Sequence, residues 1–423
     1  SMGISVKSVP FSNFAVHPQL PSTQMAFSEQ GFCRAVVLRT TKSPAAGAPG
    51  GVLYDVEVCR VPTPSHLDTA GYALVRVSHA ALNRRDVWIR MGLYPGLQFD
   101  TILGADCCGT LEAVDAADGI SATRLAGLIG TGADVVVNPS CDWDVAGQPS
   151  YDEAAPGPFF RILGMPQDGT LCEWIAIDAS QVFPKPAHLT SAQAAALPLA
   201  GLTAYRACFR KAEVAPGDVV LVSGIGGGVA LLCLQFCIAA GAKEVWVTSS
   251  SDVKIAKAVE MGATGGFNYA ASDAKTFSKT LQKALRGRLN KVIDGAGGGA
   301  LNSYIRAMKP GGIIASYGAT ARDPKNFEVT RMFLKNIELR GSTMGSPRDF
   351  ENMLSFVRRE RIVPVVDSVV AMRCGDGDEG ADTTRVVAAM ERMRNGKQMG
   401  KIVIQVGRSS SRRQPDCEIP SRL

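Results

Sequence analysis

The run VVLVSGIGGGVALLCLQFCIAAGA, Val219 to Ala242, limits the fold more than any other part of this 423-residue chain. Five apolar or small residues, Val219 to Ser223, read as a buried strand. Gly224, Gly226, Gly227 and Gly228 follow, then Val229 and an apolar helix. A strand that passes through a glycine turn into a helix is the setting in which such a turn holds a dinucleotide. Glycine permits the tight turn and lets backbone N–H groups approach a pyrophosphate, whose charge suits the helix N-terminus.

The rest of the chain supplies the surroundings for that turn. Hydrophobic residues make up 46% of it and charged residues 20%, an ordinary globular balance, and the length suits two domains. A net charge of +6 is modest, and no basic stripe interleaved with aromatics appears, so no nucleic-acid partner is expected. Mild positive charge around an anionic cofactor is the plainer account. Eleven irregularly spaced cysteines speak for a reducing compartment. Without a run of about 18 apolar residues, no membrane span is expected.

Residues 1–30 read as an N-terminal extension, mixed and aperiodic, with an expression scar at Ser1-Met2-Gly3. Residues 408–423 read as a flexible polar tail. The tail's Ser421-Arg422-Leu423 is similar to the Ser-Lys-Leu peroxisomal address, so an import receptor is an expected partner; the alternative is a cytoplasmic protein with an accidental ending.

Between these ends the pattern changes twice. From residue 31, short alternating segments such as CRAVVLR (Cys33 to Arg39) and ALVRV (Ala73 to Val77) are separated by Gly/Pro turns, the pattern of an antiparallel β-rich domain. Helical patterning runs from Thr190, a fitting N-cap, to Arg210. VVLVS, EVWVT, KVID, GIIASYG and IELRG then alternate with mostly helical segments, which predicts a parallel sheet covered by helices. Ser346-Pro347 starts another helix, and KIVIQV (Lys401 to Val406) is a closing strand that rejoins the first domain. The expected fold class is α/β. Residues 31–200 and 346–407 form the β-rich domain, and 201–345 form a doubly wound parallel-sheet cofactor domain.

Four segments in this order carry a resemblance: ALNRRDVWIRMGLYP (Ala81 to Pro95), LGADCCG (Leu103 to Gly109), LPLAGLTAYRA (Leu197 to Ala207) and SGIGGGVA (Ser223 to Ala230). Over residues 31–407 the chain resembles the medium-chain dehydrogenase/reductase superfamily, with its GroES-like catalytic domain and Rossmann domain. Within it, the zinc-free quinone oxidoreductase, or zeta-crystallin-like, branch fits best. Ala230 departs from that pattern, standing where the branch has the last glycine of its turn.

Zinc members of the superfamily carry their ligands at positions that match Asn83, Ala105 with Asp106, and Leu199. Catalytic zinc needs three protein ligands of N, S or carboxylate type, and neither a methyl nor an isobutyl group can serve. A structural zinc needs four clustered thiolates. Cys141 and Cys172 are alone in the corresponding lobe, and Cys107 and Cys108 read as small buried residues in a tight turn. No metal is expected.

The cofactor expected is NADPH. An acidic residue about 20 positions past the glycine turn would bind the ribose 2′-hydroxyl of NAD; Ser249 stands in that place here, with Ser250, Ser251 and Lys254 able to donate to a 2′-phosphate. Asp252 reads as an N-cap of the next helix or as a weakener of phosphate binding, and Lys254 also reads as a solvated helix-face lysine. The resemblance further implies cofactor contacts at Thr203, Tyr269, Ala296, Gly297, Gly318, Ala319, Met344, Gly345 and Lys401.

Without a metal, a conjugated acceptor is the fitting substrate, because its developing enolate or phenolate is already delocalised. Orientation, an apolar pocket and one or two donors then suffice. Asn83 and Tyr94 are the expected donors and Trp88 a flat pocket wall; the plainer readings are a turn residue and two core aromatics. Arg84, Arg85 and Asp86 read as local ion pairs, and His17, His66, His79 and His188 as ordinary. The expected function is NADPH-dependent, zinc-independent hydride transfer to a quinone or α,β-unsaturated carbonyl. A 2-enoyl thioester reductase and a non-catalytic NADPH-binding sensor or RNA-binding protein are the alternatives. The resemblance also implies a homodimer or homotetramer that pairs through IELRGSTM.

Overall fold

The computed structural model describes residues 27–64, 71–115, 119–143, 156–324, 326–372 and 378–407. Most of the extension, the whole tail with Ser421-Arg422-Leu423, and His17 and His66 lie outside the described residues.

Strands β1 (Phe27–Pro44) and β2 (Val52–Pro64) pair antiparallel. Next come β3 (Tyr72–Ala81), β4 (Asp106–Val114) and β5 (Asp134–Val137), the short ribbon of β6 (Ser140–Cys141) and β7 (Arg161–Ile162), then β8 (Trp174–Asp178) and β9 (Val182–Pro184). The cofactor sheet is built from β10 (Val219–Val222), β11 (Glu244–Ser249), β12 (Gly265–Asn268), β13 (Leu289–Asp294), β14 (Met308–Ser316) and β15 (Glu338–Gly341). Strands β16 (Val366–Ala371) and β17 (Lys401–Gln405) complete the chain.

Helices α1 (Arg84–Arg90) and α2 (Gly119–Leu125) belong to the β-rich part, and α3 (Ser191–Ala195) and α4 (Pro198–Tyr205) lead out of it. Then follow α5 (Gly228–Ala239), α6 (Asp252–Glu260), α7 (Ala274–Leu285), α8 (Ala300–Ala307), α9 (Val329–Leu334), α10 (Pro347–Arg359) and α11 (Glu379–Arg394).

Among the described residues the cofactor sheet is parallel throughout, in the order β12-β11-β10-β13-β14-β15. That order reverses beside β10 and is the doubly wound Rossmann arrangement. All four residues of β10 are buried, as a central strand covered on both faces requires. Helix α5 is apolar around most of its circumference for the same reason, because it lies between the sheet and α4. The other main sheet runs β16-β17-β3-β4-β5-β9, with β8 also on β3. It is the GroES-like sheet that the resemblance implied. Strand β17 returns as expected: Val403 pairs with Ala81 and Gln405 with His79.

Local capping follows the sequence at several points. Thr190 accepts from the Gln193 N–H at 3.2 Å, and Ser346 accepts from the Asp349 N–H at 3.1 Å. The helix read as continuous from Thr190 instead breaks into α3 and α4, because Pro198 brings no N–H to continue the ladder. A π-helical turn, Arg206–Lys211, extends α4. The sequence reading did not anticipate α11.

Two cores meet between the sheets. One lies around α4, α5 and β10, the other inside the β-rich domain; Leu199 and Ile162 pack against both. A buried ion pair stands near this seam. Arg206, 1% exposed, donates to Asp349 at 2.5 Å and stacks on the Trp143 ring at 4.8 Å. Removing one partner of such a pair costs far more than the pair contributes. Asp349→Ala is expected to lower unfolding free energy by about 3 kcal/mol in urea titrations; a loss under about 1 kcal/mol would mean that solvent reaches Arg206.

Candidate active site

Three strand ends build the site. Strands β17, β3 and β4 are neighbours, and Ala81 lies opposite both Val403 and Asp106. Asn83 stands just past the end of β3, Asp106 opens β4 and Lys401 opens β17. The register therefore delivers all three side chains to one point, where each is buried. The Lys401 ammonium donates to Asn83 Oδ1 at 2.5 Å and to Asp106 Oδ2 at 2.8 Å. The Asn83 amide donates to the same Oδ2 at 2.9 Å.

The other Asp106 oxygen, Oδ1, accepts from the Leu199 N–H at 2.7 Å. That N–H belongs to the first turn of α4, where intrahelical acceptors are missing and the helix dipole favours a negative charge. The carboxylate thus has three donors, and burying it with its cation is tolerable only because of them. Four residues on, Thr203 lies one turn further along α4, about 6 Å by helix rise. Its hydroxyl points at Met344 Sδ, 3.8 Å away. The Thr203 and Met344 positions expected to contact the cofactor are therefore together, one helical turn from the Leu199 N–H that binds Asp106. Gly345 fits against Leu202, where a Cβ would come within 2.5 Å of Cδ1.

The glycine turn lies on the far side of Lys401. Gly224 (φ 67°) and Gly226 (φ 121°) take left-handed backbone that L side chains resist. Gly224 N–H donates to Thr248 Oγ1 at 3.2 Å, and Ile225 N–H to the Thr248 carbonyl at 2.7 Å. Gly227 N-caps α5 and has open space where a Cβ would stand, and Val229 packs against the core behind the turn. At Gly228 a Cβ would come within 2.7 Å of Lys401 Cδ, and at Gly226 within 2.8 Å of Lys254 Cδ. These two glycines admit lysine stems as well as a ligand. Ala230 is buried without disturbing α5.

Lys254 does not point where a 2′-phosphate donor was expected. Its ammonium donates to the Gly396 and Gln398 carbonyls at 2.7 Å each, tying α6 to the loop that precedes β17. Asp252 is not the N-cap either. Ser251 caps α6 through the Lys254 N–H, and Asp252 accepts from the Asn268 amide at 3.0 Å. Ser249 is buried under the turn with its hydroxyl on the Ile225 carbonyl at 3.4 Å; Ser250 and Tyr269 are exposed beside it, and Tyr269 N–H donates to the Ser249 carbonyl.

At the ends of β13 and β14 the expected loops also close together. Buried Asp294 accepts from Ser223 Oγ and from the N–H groups of Ala296 and Gly297, and burial raises its carboxyl above the usual range. Gly297 lies against Ala319, and Gly318 against the Gly295 carbonyl. The cofactor residues expected at Ala296, Gly297, Gly318 and Ala319 therefore line one crevice at the carboxyl ends of the strands, where ligands of such sheets bind.

The Asn83-to-Tyr94 segment departs from the local ion pairs expected of it. Arg84 donates to the Met393 carbonyl at 2.7 Å, at the C-terminal end of α11, and lies 5.7 Å from the half-buried Trp88 ring. Arg85 donates to Tyr94 Oη at 3.1 Å and to the carbonyls of Leu163 and Met165. Asp86 accepts from the Asn83 N–H at 2.7 Å. The Tyr94 oxygen is thus an acceptor from a guanidinium, which leaves the phenolic proton to be given elsewhere.

Asp106 was read only as a position that fails a metal. Its partnership with Lys401 has one signal in the sequence, a charged residue just ahead of an apolar strand in both DCCGTL and KIVIQ.

Among the described residues the cysteines form no ligand cluster, and no group of three His, Cys, Asp or Glu side chains is placed to hold a metal ion. Burial pushes the Cys141 thiol up to about 12 and also raises those of Cys107, Cys108 and Cys172. Iodoacetamide at mildly alkaline pH should leave these four unmodified in native protein and alkylate them after denaturation, read by peptide mass spectrometry. Fast native labelling of Cys107 or Cys108 would contradict the packing around β4.

Two family models match the chain, an alcohol dehydrogenase GroES-like domain over residues 69–187 and a zinc-binding dehydrogenase over residues 228–359. The zinc-type alcohol dehydrogenase-like protein YogA of Leptosphaeria maculans is 36% identical over 86% of this chain and 99% of its own. An acryloyl-coenzyme A reductase of Metallosphaera sedula is 27% identical over 75% of this chain and 89% of its own. A solved NAD-dependent alcohol dehydrogenase superposes with a TM-score of 0.72 at 31% identity, over 88% of this chain and 100% of that one.

The zinc in these family names finds no fit in the donor set at Asn83, Asp106 and Leu199. Asp106 alone offers an anionic ligand, and its free lone pairs already face an ammonium and an amide. The folds and relatives agree all the same: the chain belongs to the medium-chain dehydrogenase/reductase superfamily of oxidoreductases.

Proposed function

We propose that this oxidoreductase reduces a conjugated carbonyl, a quinone or an α,β-unsaturated ketone, by hydride transfer from NADPH without a catalytic metal. One observation carries the reading: an amide, a carboxylate and an isobutyl group stand where zinc relatives have ligands, with the Lys401 ammonium among them. A simple aldehyde concentrates the developing charge on one oxygen, where a Lewis-acid metal helps most. A conjugated acceptor spreads the developing charge itself, so hydrogen-bond donors are enough.

When bound, the reduced nicotinamide supplies the hydride. The chain's own residues do the rest. The Gly224–Gly228 turn and the N-terminus of α5 hold the pyrophosphate, while Thr203, Met344 and Gly345 orient the ring. Tyr94, held by Arg85, gives a hydrogen bond to the substrate oxygen, and Trp88 walls the pocket. The preference for NADPH rests on Ser249, which stands where NAD-dependent relatives carry a carboxylate, with Ser250 and Tyr269 beside it; the nearby Asp252 is engaged by the Asn268 amide, and Lys254 reaches the place only by leaving the Gly396 and Gln398 carbonyls.

Reduction of a 2-enoyl thioester is the second reading, favoured by the acryloyl-coenzyme A reductase relative. It uses the same hydride addition at a β-carbon. The open edge of the cofactor sheet at β15, with exposed Phe333, Leu334 and Leu339 beside it, supports the homodimer expected through IELRGSTM.

NADPH oxidation measured with 1,2-naphthoquinone, 9,10-phenanthrenequinone, an enone and trans-2-enoyl thioesters separates the readings. Turnover of quinone or enone is expected, with about a tenfold or larger loss of kcat in Tyr94→Phe. Turnover of thioesters alone would move the protein to the second reading, and no turnover at all would remove both. Ser249→Asp should turn the preference from NADPH towards NADH by at least about tenfold in kcat/KM, through repulsion of the 2′-phosphate. An unchanged ratio would place the phosphate elsewhere.

A further inference from the structure

We infer that Lys401 is a catalytic residue of this site. Its ammonium is the built-in cation that holds the oxyanion formed during reduction, in the place where zinc relatives hold their metal. The inference rests on the conjugated-carbonyl reading above and adds the group that bears the charge.

Four features support it. An ammonium has three donors; two are engaged, by Asn83 Oδ1 at 2.5 Å and Asp106 Oδ2 at 2.8 Å, which leaves one. The charge is fixed rather than mobile. Lys401 is 4% exposed, its backbone is held in β17 and by the Val365 carbonyl, and its stem lies over Gly228. A fixed donor in a dry site stabilises a developing anion far better than a solvated one, because no reorganisation is needed.

The third feature is position. Asp106, the ammonium's carboxylate partner, is held through Oδ1 by the Leu199 N–H, one helical turn from Thr203, which puts the cation at the start of the helix that carries an expected cofactor contact. The fourth is the asymmetry of the cluster. A purely structural ion pair would need only Asp106, yet Asn83 turns its carbonyl oxygen to Lys401 and its amide to Asp106, which orients the ammonium instead of merely neutralising it.

The step balances. Hydride from NADPH forms a C–H bond at the β-carbon, the pair of the C=C bond moves to the α-carbon–carbonyl bond, and the C=O pair moves onto oxygen. The enolate so formed accepts a hydrogen bond from Lys401, and water then supplies the proton at the α-carbon. NADPH is oxidised and the acceptor is reduced by two electrons. Asn83 and Asp106 are positioning residues for the ammonium.

The test uses the full chain, with two readouts on Lys401→Met and Lys401→Arg. The first is steady-state reduction of the best conjugated acceptor. Lys401→Met keeps an unbranched stem over Gly228 and should lose about 100-fold in kcat, while the KM for NADPH stays within about threefold. Lys401→Arg, which keeps the charge in a wider group, should lose less.

The second readout needs no turnover. 4-Nitrophenol bound to the NADP⁺ complex mimics the oxyanion, and its absorbance reports the phenolate. The wild-type protein should lower the apparent pKa of the bound phenol by about one unit or more, and Lys401→Met should abolish that shift. Protein that binds the phenolate through Lys401 yet reduces no conjugated carbonyl would uphold this inference and overturn the proposed function. Undiminished kcat together with an unchanged shift in Lys401→Met would overturn this inference and leave the function standing. Retained NADPH fluorescence enhancement in the variants establishes that they fold. Should Lys401→Met not fold, Lys401→Arg decides: wild-type kcat and an unchanged shift would count against an oriented ammonium.

Discussion

The contact between Lys401 and the Asn83–Asp106 pair ties together parts of this molecule that lie far apart in sequence. It joins the ends of three adjacent strands, fixes the first turn of α4 through the Leu199 N–H, and lays the lysine stem across the glycine turn at Gly228. Through Lys401 and Asp106 together the cluster touches the β-rich domain, the helix that enters the cofactor domain and the glycine turn. Beside it, the Gly400 N–H donates to the Gly226 carbonyl at 2.9 Å, and Lys254 grips the same loop from α6. The two domains are therefore joined at the place where chemistry is expected. The charges there are few and buried, and the Lys401 ammonium lies 2.8 Å from the Asp106 carboxylate, the pairing that makes such burial tolerable.

In the proposed function the same arrangement lets a family named for zinc keep its fold around different chemistry. A metal ion at the junction would gather anionic and imidazole ligands from separate segments and so align them. Here an ammonium gathers an amide and a carboxylate from the matching segments and aligns them in a similar way. It is a weaker electrophile, and it cannot accept a substrate lone pair. Its donor strength suits an oxygen that becomes an anion only as hydride arrives. The substrate class and the cation are two sides of one constraint.

Much of the architecture was legible because it follows from periodicity. The buried strand at Val219, the glycine turn, the alternation through Ile337 and the return of KIVIQV to the first sheet all follow from local patterns that tertiary structure did not override. Other features were hidden for definable reasons. Helix α11 opens with Glu379-Gly380 and carries two threonines and two valines before its run of strong formers begins at Ala388, so its first half has poor propensity; Val386, Met390 and Met393 are buried, and Arg34 reaches across to Asp382. The neighbours Ser251 and Asp252 are both good caps, and sequence cannot decide a boundary of one residue.

The lysines were the hardest to read. Lys254 and Lys401 both looked like cofactor ligands because the resemblance puts them near the turn. Where an ammonium goes depends on which carbonyls and carboxylates lie within reach of a long stem, and strand register sets that over more than a hundred residues of sequence. The Asp106–Lys401 pair spans 295 positions, and its one local trace, a charge at the head of each apolar strand, does not say which charge meets which.

The most direct test of a metal-free centre is a joint measurement of metal content and turnover on one preparation. The protein would be purified without added metal, dialysed against a strong chelator and analysed by inductively coupled plasma mass spectrometry while its reduction of a conjugated carbonyl by NADPH is followed. The account predicts full activity with far less than one zinc per chain. Activity that falls with the zinc and returns when zinc is restored would contradict it.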